Sequence, residues 1–174
     1  MTAELTDTRA DWGPQRSKTV TWHEPGPSTA KGLTMAGIDY LRAMADGQLP
    51  QPPISGLMEF GIVEADNGRV VFTCRPDESA YNPIGAIHGG LICTLLDSVT
   101  GCAVHSTLPA GKGYTTIEIK VNYVKAVRLT SGVLTATGTV VKSGSRVGFS
   151  EGVVTDESGA IVATASSTLL VFDL

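Results

Sequence analysis

The spacing of apolar residues changes period along this chain, and each change marks an element. Met35, Ile38, Leu41 and Met44 recur at helical spacing between Thr34, read as an N-cap, and Gly47, read as a stop. They predict an amphipathic helix over residues 35–44 lying on a core. Pro50, Pro52 and Pro53 then break the chain, and strand-like runs follow at residues 58–64 and 69–74. Asp66-Asn67-Gly68 between those runs predicts a hairpin. After a loop over residues 75–87, positions 89–104 (GGLICTLLDSVTGCAV) are apolar or small almost throughout, which predicts a long buried helix. Strand-like runs at 114–125, 132–142, 146–155 and 161–172 complete the chain, the last three joined by turns at 143–145 and 156–159.

Two strands, one apolar helix and four strands with hairpin connections predict an α+β fold, an antiparallel sheet wrapped around a long central helix. No internal repeat is visible. Residues 1–31 mix charge, proline and glycine and are expected to form a poorly ordered N-terminal arm, with a short strand at residues 19–22 as one option. The domain is expected to occupy residues 32–174.

Composition narrows the function. The 174 residues are 42% hydrophobic and only 17% charged, against about 25% for an average soluble protein, which points to self-association. A net charge of -4 and a pI near 5.3, with no basic cluster, argue against nucleic-acid binding. The N-terminus has no apolar signal segment and no run reaches the length of a membrane span, so neither export nor a membrane is expected. Three cysteines, Cys74, Cys93 and Cys102, an odd number with two in the apolar helix, fit reduced thiols in the cytoplasm.

Asp97 is the lone charge of that helix. Burying an unpaired carboxylate costs several kcal/mol or forces its protonation, so the residue is expected to be paired or used. The helix is entered through His88-Gly89-Gly90, and two glycines leave the first-turn N–H groups unshielded, so an uncapped N-terminus that takes an anion or oxyanion is expected. A carbonyl under attack by water needs donors where negative charge develops and a base beside that water. The Gly90 N–H suits the first task and Asp97 the second. Asp97 lies seven residues beyond Gly90, about 10 Å along the axis, too far for both to serve one carbonyl, so a site using both would draw them from two subunits.

Asn82, His88-Gly89-Gly90, Asp97, Tyr114-Thr115-Thr116 and Val121-Asn122-Tyr123, in that order and spacing, resemble the hotdog-fold acyl-CoA thioesterases, in particular the phenylacetate-pathway (PaaI-like) branch. The resemblance runs from about residue 35 to 172, takes in the Pro-rich turn, and shows no departure at these positions. It implies hydrolysis of an acyl-coenzyme A thioester, aryl or medium-chain, in a cleft between subunits of a homodimer or homotetramer. No cofactor is implied beyond the coenzyme A of the substrate, and no metal. It implies that Gly90 polarises the carbonyl, that Asn82 and His88 hold the carbonyl and organise the loop, and that Asp97 acts as general base or nucleophile. Thr116 would sit beside the attacking water, with Gly89 and Ser98 as substrate neighbours.

Bland roles compete at several positions. Asn82 precedes Pro83 and reads equally as a turn residue. Cys102 and His105 lack a third metal partner, and His105 reads better as a helix-end histidine. Arg75, Lys125, Arg128, Lys142 and Arg146 suit coenzyme A phosphates no better than they suit solvent.

Three other functions compete with this reading. Gly148-Phe149-Ser150-Glu151-Gly152 satisfies the G-x-S-x-G elbow, but the serine lies in a strand-like run with no helix behind it and no histidine follows. A non-catalytic acyl-CoA-binding hotdog module would have no use for Asp97. A hydratase lacks an Asp and His at close spacing.

Overall fold

Asn67 and Gly68 make the tight connection that their sequence demands: Asp66 pairs with Arg69 across the turn, and Gly68 has φ of 83°, where a side chain would be strained. The hairpin joins β1 (Phe60–Asp66) to β2 (Arg69–Cys74). The computed structural model describes residues 12–174. Helix α4 (Gly89–His105) follows, then β3 (Lys112–Tyr123), β4 (Leu134–Ser143), β5 (Val147–Thr155) and β6 (Ile161–Asp173). All pairings are antiparallel, in one six-stranded sheet of order β1-β2-β4-β5-β6-β3. This is the α+β arrangement the pattern predicts, with β1 and β3 at the two edges.

The sheet curls around α4 because that helix is apolar on most of its circumference. Leu95, Leu96, Val99 and Val104 are buried completely and pack against Leu134, Ala136, Val154 and Leu169 of the sheet. Glycines on the sheet face let the helix approach closely. A Cβ on Gly152 would lie 2.9 Å from Thr100 and 3.0 Å from Leu96, and one on Gly138 would collide with the Val99 carbonyl. No helix among the described residues is long and apolar enough to cross a membrane.

The N-terminal third departs from expectation in three ways. First, the amphipathic helix is α2 (Gly37–Ala45), capped by Ala36 rather than Thr34. The Thr34 hydroxyl instead donates to the Lys31 carbonyl at 2.9 Å, closing the free end of a preceding helix, α1 (Pro25–Gly32). Second, the proline-rich turn starts a helix as well as ending one: α3 (Pro53–Met58) has Pro53 in its first turn, where a missing N–H costs nothing, and β1 therefore begins at Phe60.

Third, residues of the arm form α1 and make contacts with the rest of the chain. No strand forms at residues 19–22, yet Arg16 pairs with Glu78 at 3.1 Å, and Lys18 pairs with Asp77 at 3.2 Å and with Glu59 at 3.4 Å. The Thr21 carbonyl lies so near α3 that a Cβ on Gly56 would come within 2.7 Å of it. Within α1, the buried Ser28 hydroxyl meets the Tyr40 hydroxyl of α2 at 3.3 Å. Charge pairs and one buried polar contact hold a segment that has no local pattern of its own. The expectation for residues 1–11 lies outside the described residues.

Candidate active site

The first turn of α4 is capped, contrary to the expectation of a bare N-terminus. His88 is the N-cap, and its Nδ1 accepts the Gly90 N–H at 2.8 Å. The imidazole is just long enough to fold back on an amide that the glycines leave open. A neutral imidazole that accepts at Nδ1 carries its proton on Nε2, so the cap assigns a free donor to His88. The backbone N–H of His88 donates to the Ala80 carbonyl at 2.7 Å, fixing the entry of the chain.

Tyr123, at the end of β3, closes over the same turn. Its hydroxyl donates to the Gly89 carbonyl at 2.9 Å, and its ring lies where a Cβ on Gly89 would stand 3.1–3.2 Å away. Partial burial, with Cys93 close by, raises its phenol pKa. Gly89 is therefore the seat of an aromatic ring as well as a flexible entry point. No local pattern in the sequence encodes this contact, which joins residues 34 positions apart.

Asn82 builds the loop before the helix. Its Oδ1 accepts from the N–H groups of Ile84 and Ala86, both at 3.1 Å, and its own N–H donates to the Ala86 carbonyl at 2.8 Å. Gly85 takes φ of 75° inside this turn, and Arg128 Nη1 donates to its carbonyl at 3.1 Å. The turn role is filled, which leaves the side-chain NH₂ as the part of Asn82 available to a ligand.

Asp97 lies farther along α4, half-buried rather than buried, on a stripe with Cys93, Thr94 and Ser98 that the sheet does not cover. The Thr116 hydroxyl donates to Asp97 Oδ1 at 2.8 Å. Thr116 immediately precedes a register shift in the β3–β6 ladder that leaves Ile117 unpaired and 57% exposed. A bulge of this kind re-aims neighbouring side chains. Ser98 spends its hydroxyl proton on the Thr94 carbonyl at 2.8 Å, and Thr94 does the same with the Gly90 carbonyl at 2.9 Å. The expected site residues thus form two groups: Asn82, His88, Gly89 and Gly90 at the head of α4, and Asp97, Ser98 and Thr116 about two turns below.

A small, mostly apolar cavity of about 370 Å³ opens at the head of the helix, lined by Leu57, Met58, Ala80, His88, Gly90 and Leu91. Beside it lies a wider cleft of about 1080 Å³ between Pro14–Lys18 of the arm and the segment from Arg75 to Ser79. Lys18, Glu59 and Asp77 border both. Among the other basic residues, Lys125 pairs at 2.6 Å with Asp156, whose side chain is 4% exposed. The hydrogen bond from Lys125, with that from Ser158, holds the Asp156 carboxyl far below the usual carboxylate range.

Ser150 of the elbow-like motif sits inside β5, 2% exposed, with no hydrogen-bond partner for its hydroxyl among the described residues. It presents no nucleophile to solvent. His105 packs its ring against Tyr114 and Tyr40, and burial lowers its pKa. Cys102, against the Tyr114 hydroxyl, is pushed up to about 11, mainly by burial.

Comparison with known proteins places this geometry. Residues 84–163 match the model of the thioesterase superfamily. Human acyl-coenzyme A thioesterase 13 is 27% identical over 108 residues, 62% of this chain and 76% of that protein. A Halobacterium salinarum protein carrying an esterase name is 42% identical over 69 residues, which span 38% of this chain and 44% of that protein. Among solved structures, a hypothetical thioesterase protein with coenzyme A from Streptococcus pneumoniae is 31% identical. It superposes with a TM-score of 0.60 over 66% of this chain and 86% of that one.

Proposed function

The chain belongs to the thioesterase superfamily, has the hotdog fold and is a thioester hydrolase; from that premise we propose that it hydrolyses acyl-coenzyme A thioesters, with an aryl or medium-chain acyl group, at the head of α4. The observation that carries the reading is the Asp97 carboxylate. It is half-buried, fixed by Thr116, and set on the helix whose first turn holds His88 and Gly90 beside an apolar cavity. The coenzyme A bound to the pneumococcal relative and the acyl-coenzyme A name of the human one support the substrate class. The pneumococcal protein has also been solved with an aspartate, and separately a threonine, replaced by alanine.

In the proposed reaction Asp97 takes a proton from water while the oxygen adds to the thioester carbonyl carbon. The Thr116 hydroxyl occupies one lone pair of Oδ1 and keeps the carboxylate oriented, leaving Oδ2 for the water. Negative charge develops on the carbonyl oxygen, where the Gly90 N–H and the Nε2 proton of His88 are the donors at hand. The carbonyl displaces or shares the His88 acceptor on Gly90. The C–S bond then breaks, coenzyme A leaves as thiolate and takes up a proton, and the acid is released.

The two groups are too far apart along one helix to act on one carbonyl, which supports a site shared between two copies in a homodimer or homotetramer. β3 is an edge strand with exposed Ile117 and Tyr123, a surface suited to pairing with a second copy. The three free cysteines suit a cytoplasmic protein. Steady-state hydrolysis across aryl and straight-chain acyl-coenzyme A substrates, followed with a thiol reagent, tests the reading. Turnover that survives in Asp97→Asn overturns the assigned chemistry, and tight binding without turnover in the unaltered protein marks an acyl-CoA-binding module instead.

A further inference from the structure

We propose that the N-terminal arm is the end wall of the acyl pocket, and that the Lys18 clasp on Glu59 and Asp77 sets the longest acyl chain the pocket admits. This rests on the acyl-coenzyme A reading above. The arm runs between two structures on either side of the cavity. Arg16 is tied to Glu78 in the turn at Glu78–Ala80, and the Thr21 carbonyl lies against Gly56 of α3. Between these anchors Lys18 reaches both Asp77, at the start of that turn, and Glu59, where α3 gives way to β1. The three charged residues border the apolar cavity whose other lining includes His88, Gly90, Leu57 and Leu91.

An acyl group whose carbonyl lies at Gly90 extends its chain along Leu57, Met58 and Leu91, surfaces that gain from covering methylenes. At Lys18 that gain stops. Advancing further either strips water from three charged groups or displaces the arm. The clasp is suited to displacement, because its side chains are 31–39% exposed and exposed ion pairs contribute little and weaken with salt. The wider cleft that the same three residues also border is space into which a longer chain passes once the clasp opens.

Both tryptophans of the chain, Trp12 and Trp22, belong to the arm and are exposed, so intrinsic tryptophan fluorescence reports on the arm alone. Two measurements on the full-length protein decide the proposal. In the first, kcat/KM is measured from acetyl- to lauroyl-coenzyme A for the unaltered protein, Lys18→Ala and Glu59→Gln, with folding checked by thermal melting. A methylene in an apolar pocket is worth about tenfold or more, so the ratio of lauroyl to acetyl turnover is expected to rise at least about tenfold in Lys18→Ala and less in Glu59→Gln. In the second, non-hydrolysable S-alkyl-coenzyme A thioethers of rising length are titrated against tryptophan fluorescence. A signal that sets in at the length where turnover falls supports the clasp. Superposable chain-length profiles in folded Lys18→Ala and the unaltered protein overturn it, as does fluorescence indifferent to chain length. A length-dependent signal in a protein that hydrolyses no thioester keeps the clasp and removes the hydrolase reading. Absence of both binding and turnover removes both.

Discussion

His88 folds back on its own helix so that its Nδ1 accepts the Gly90 N–H at 2.8 Å. The amide best placed to polarise a carbonyl is therefore already engaged in the free protein. In the proposed reaction His88 has two tasks, holding the helix end and yielding it to a substrate, and truncating the ring separates them. His88→Ala is expected to lose an N-cap worth about 1 kcal/mol, or about 2–4 °C in Tm for a chain of this size. Its kcat/KM is expected to fall less than that of Asp97→Asn. A larger kinetic defect at His88 makes the imidazole, and not the carboxylate, the base.

Asp97→Asn keeps the shape of the side chain and removes the proton acceptor, so kcat is expected to fall by about 10²-fold or more with Tm nearly unchanged. Thr116→Val, which deletes only the donor to Oδ1, is expected to fall about tenfold and Thr116→Ser to recover most of it. Equal losses in Thr116→Val and Asp97→Asn would make the hydroxyl a participant in the proton transfer itself.

The separation of Gly90 from Asp97 along α4 is tested by mixing inactive chains. Gly90→Pro removes the N–H and with it the hydrogen bond to His88 Nδ1, so it is expected to be about 10²-fold slow with a Tm lowered at least as far as that of His88→Ala. Unfolded and refolded 1:1 with Asp97→Asn, about half the dimers are mixed; one site in each mixed dimer is then intact, restoring about a quarter of normal activity. Verified mixed dimers that stay inactive place both residues in one chain's site.

Asp156 gives a pH signature away from the site. Its hydrogen bonds from Lys125 and Ser158 depress its pKa in the folded state. A depressed carboxyl contributes stability that is complete above its unfolded value near 4 and is lost as pH falls through the folded one. Thermal melts of Asp156→Asn are expected to show a lower Tm at pH 7 and a shallower decline below about pH 4 than the unaltered protein. Parallel declines in the two proteins remove Asp156 from the acid response.

What was legible in the sequence was local. The Asn67-Gly68 hairpin, the apolar run of α4 and the four later strands each announce themselves within a few residues. Proline was misleading because it can begin a helix as readily as end one, and both α1 and α3 begin that way. The arm was opaque for a different reason: Lys18 finds its partners 41 and 59 positions away, and no periodicity encodes a pair of that span. At the site, the residue types at Asp97 and in His88-Gly89-Gly90 are what suggests the proposed chemistry. The hydrogen bond from Thr116 and the ring of Tyr123 depend on how β3 lies against α4, which only the folded chain supplies.

Gly138, Gly148 and Gly152 have a bearing on how this chain can change over generations. Added side-chain carbons at these positions would strike Val99, Val104 and Thr100, so the helix rests on the sheet with no carbon to spare between them. Any drift there lifts α4 and with it the Asp97 carboxylate away from Thr116. A side chain introduced at any of these three codons carries that cost, while α3 and the arm lie outside this contact. With Asp97 and the head of α4 acting as proposed, new substrate preferences in descendants of this chain are expected to arise at the rim of the pocket, leaving the helix that carries the carboxylate where it is.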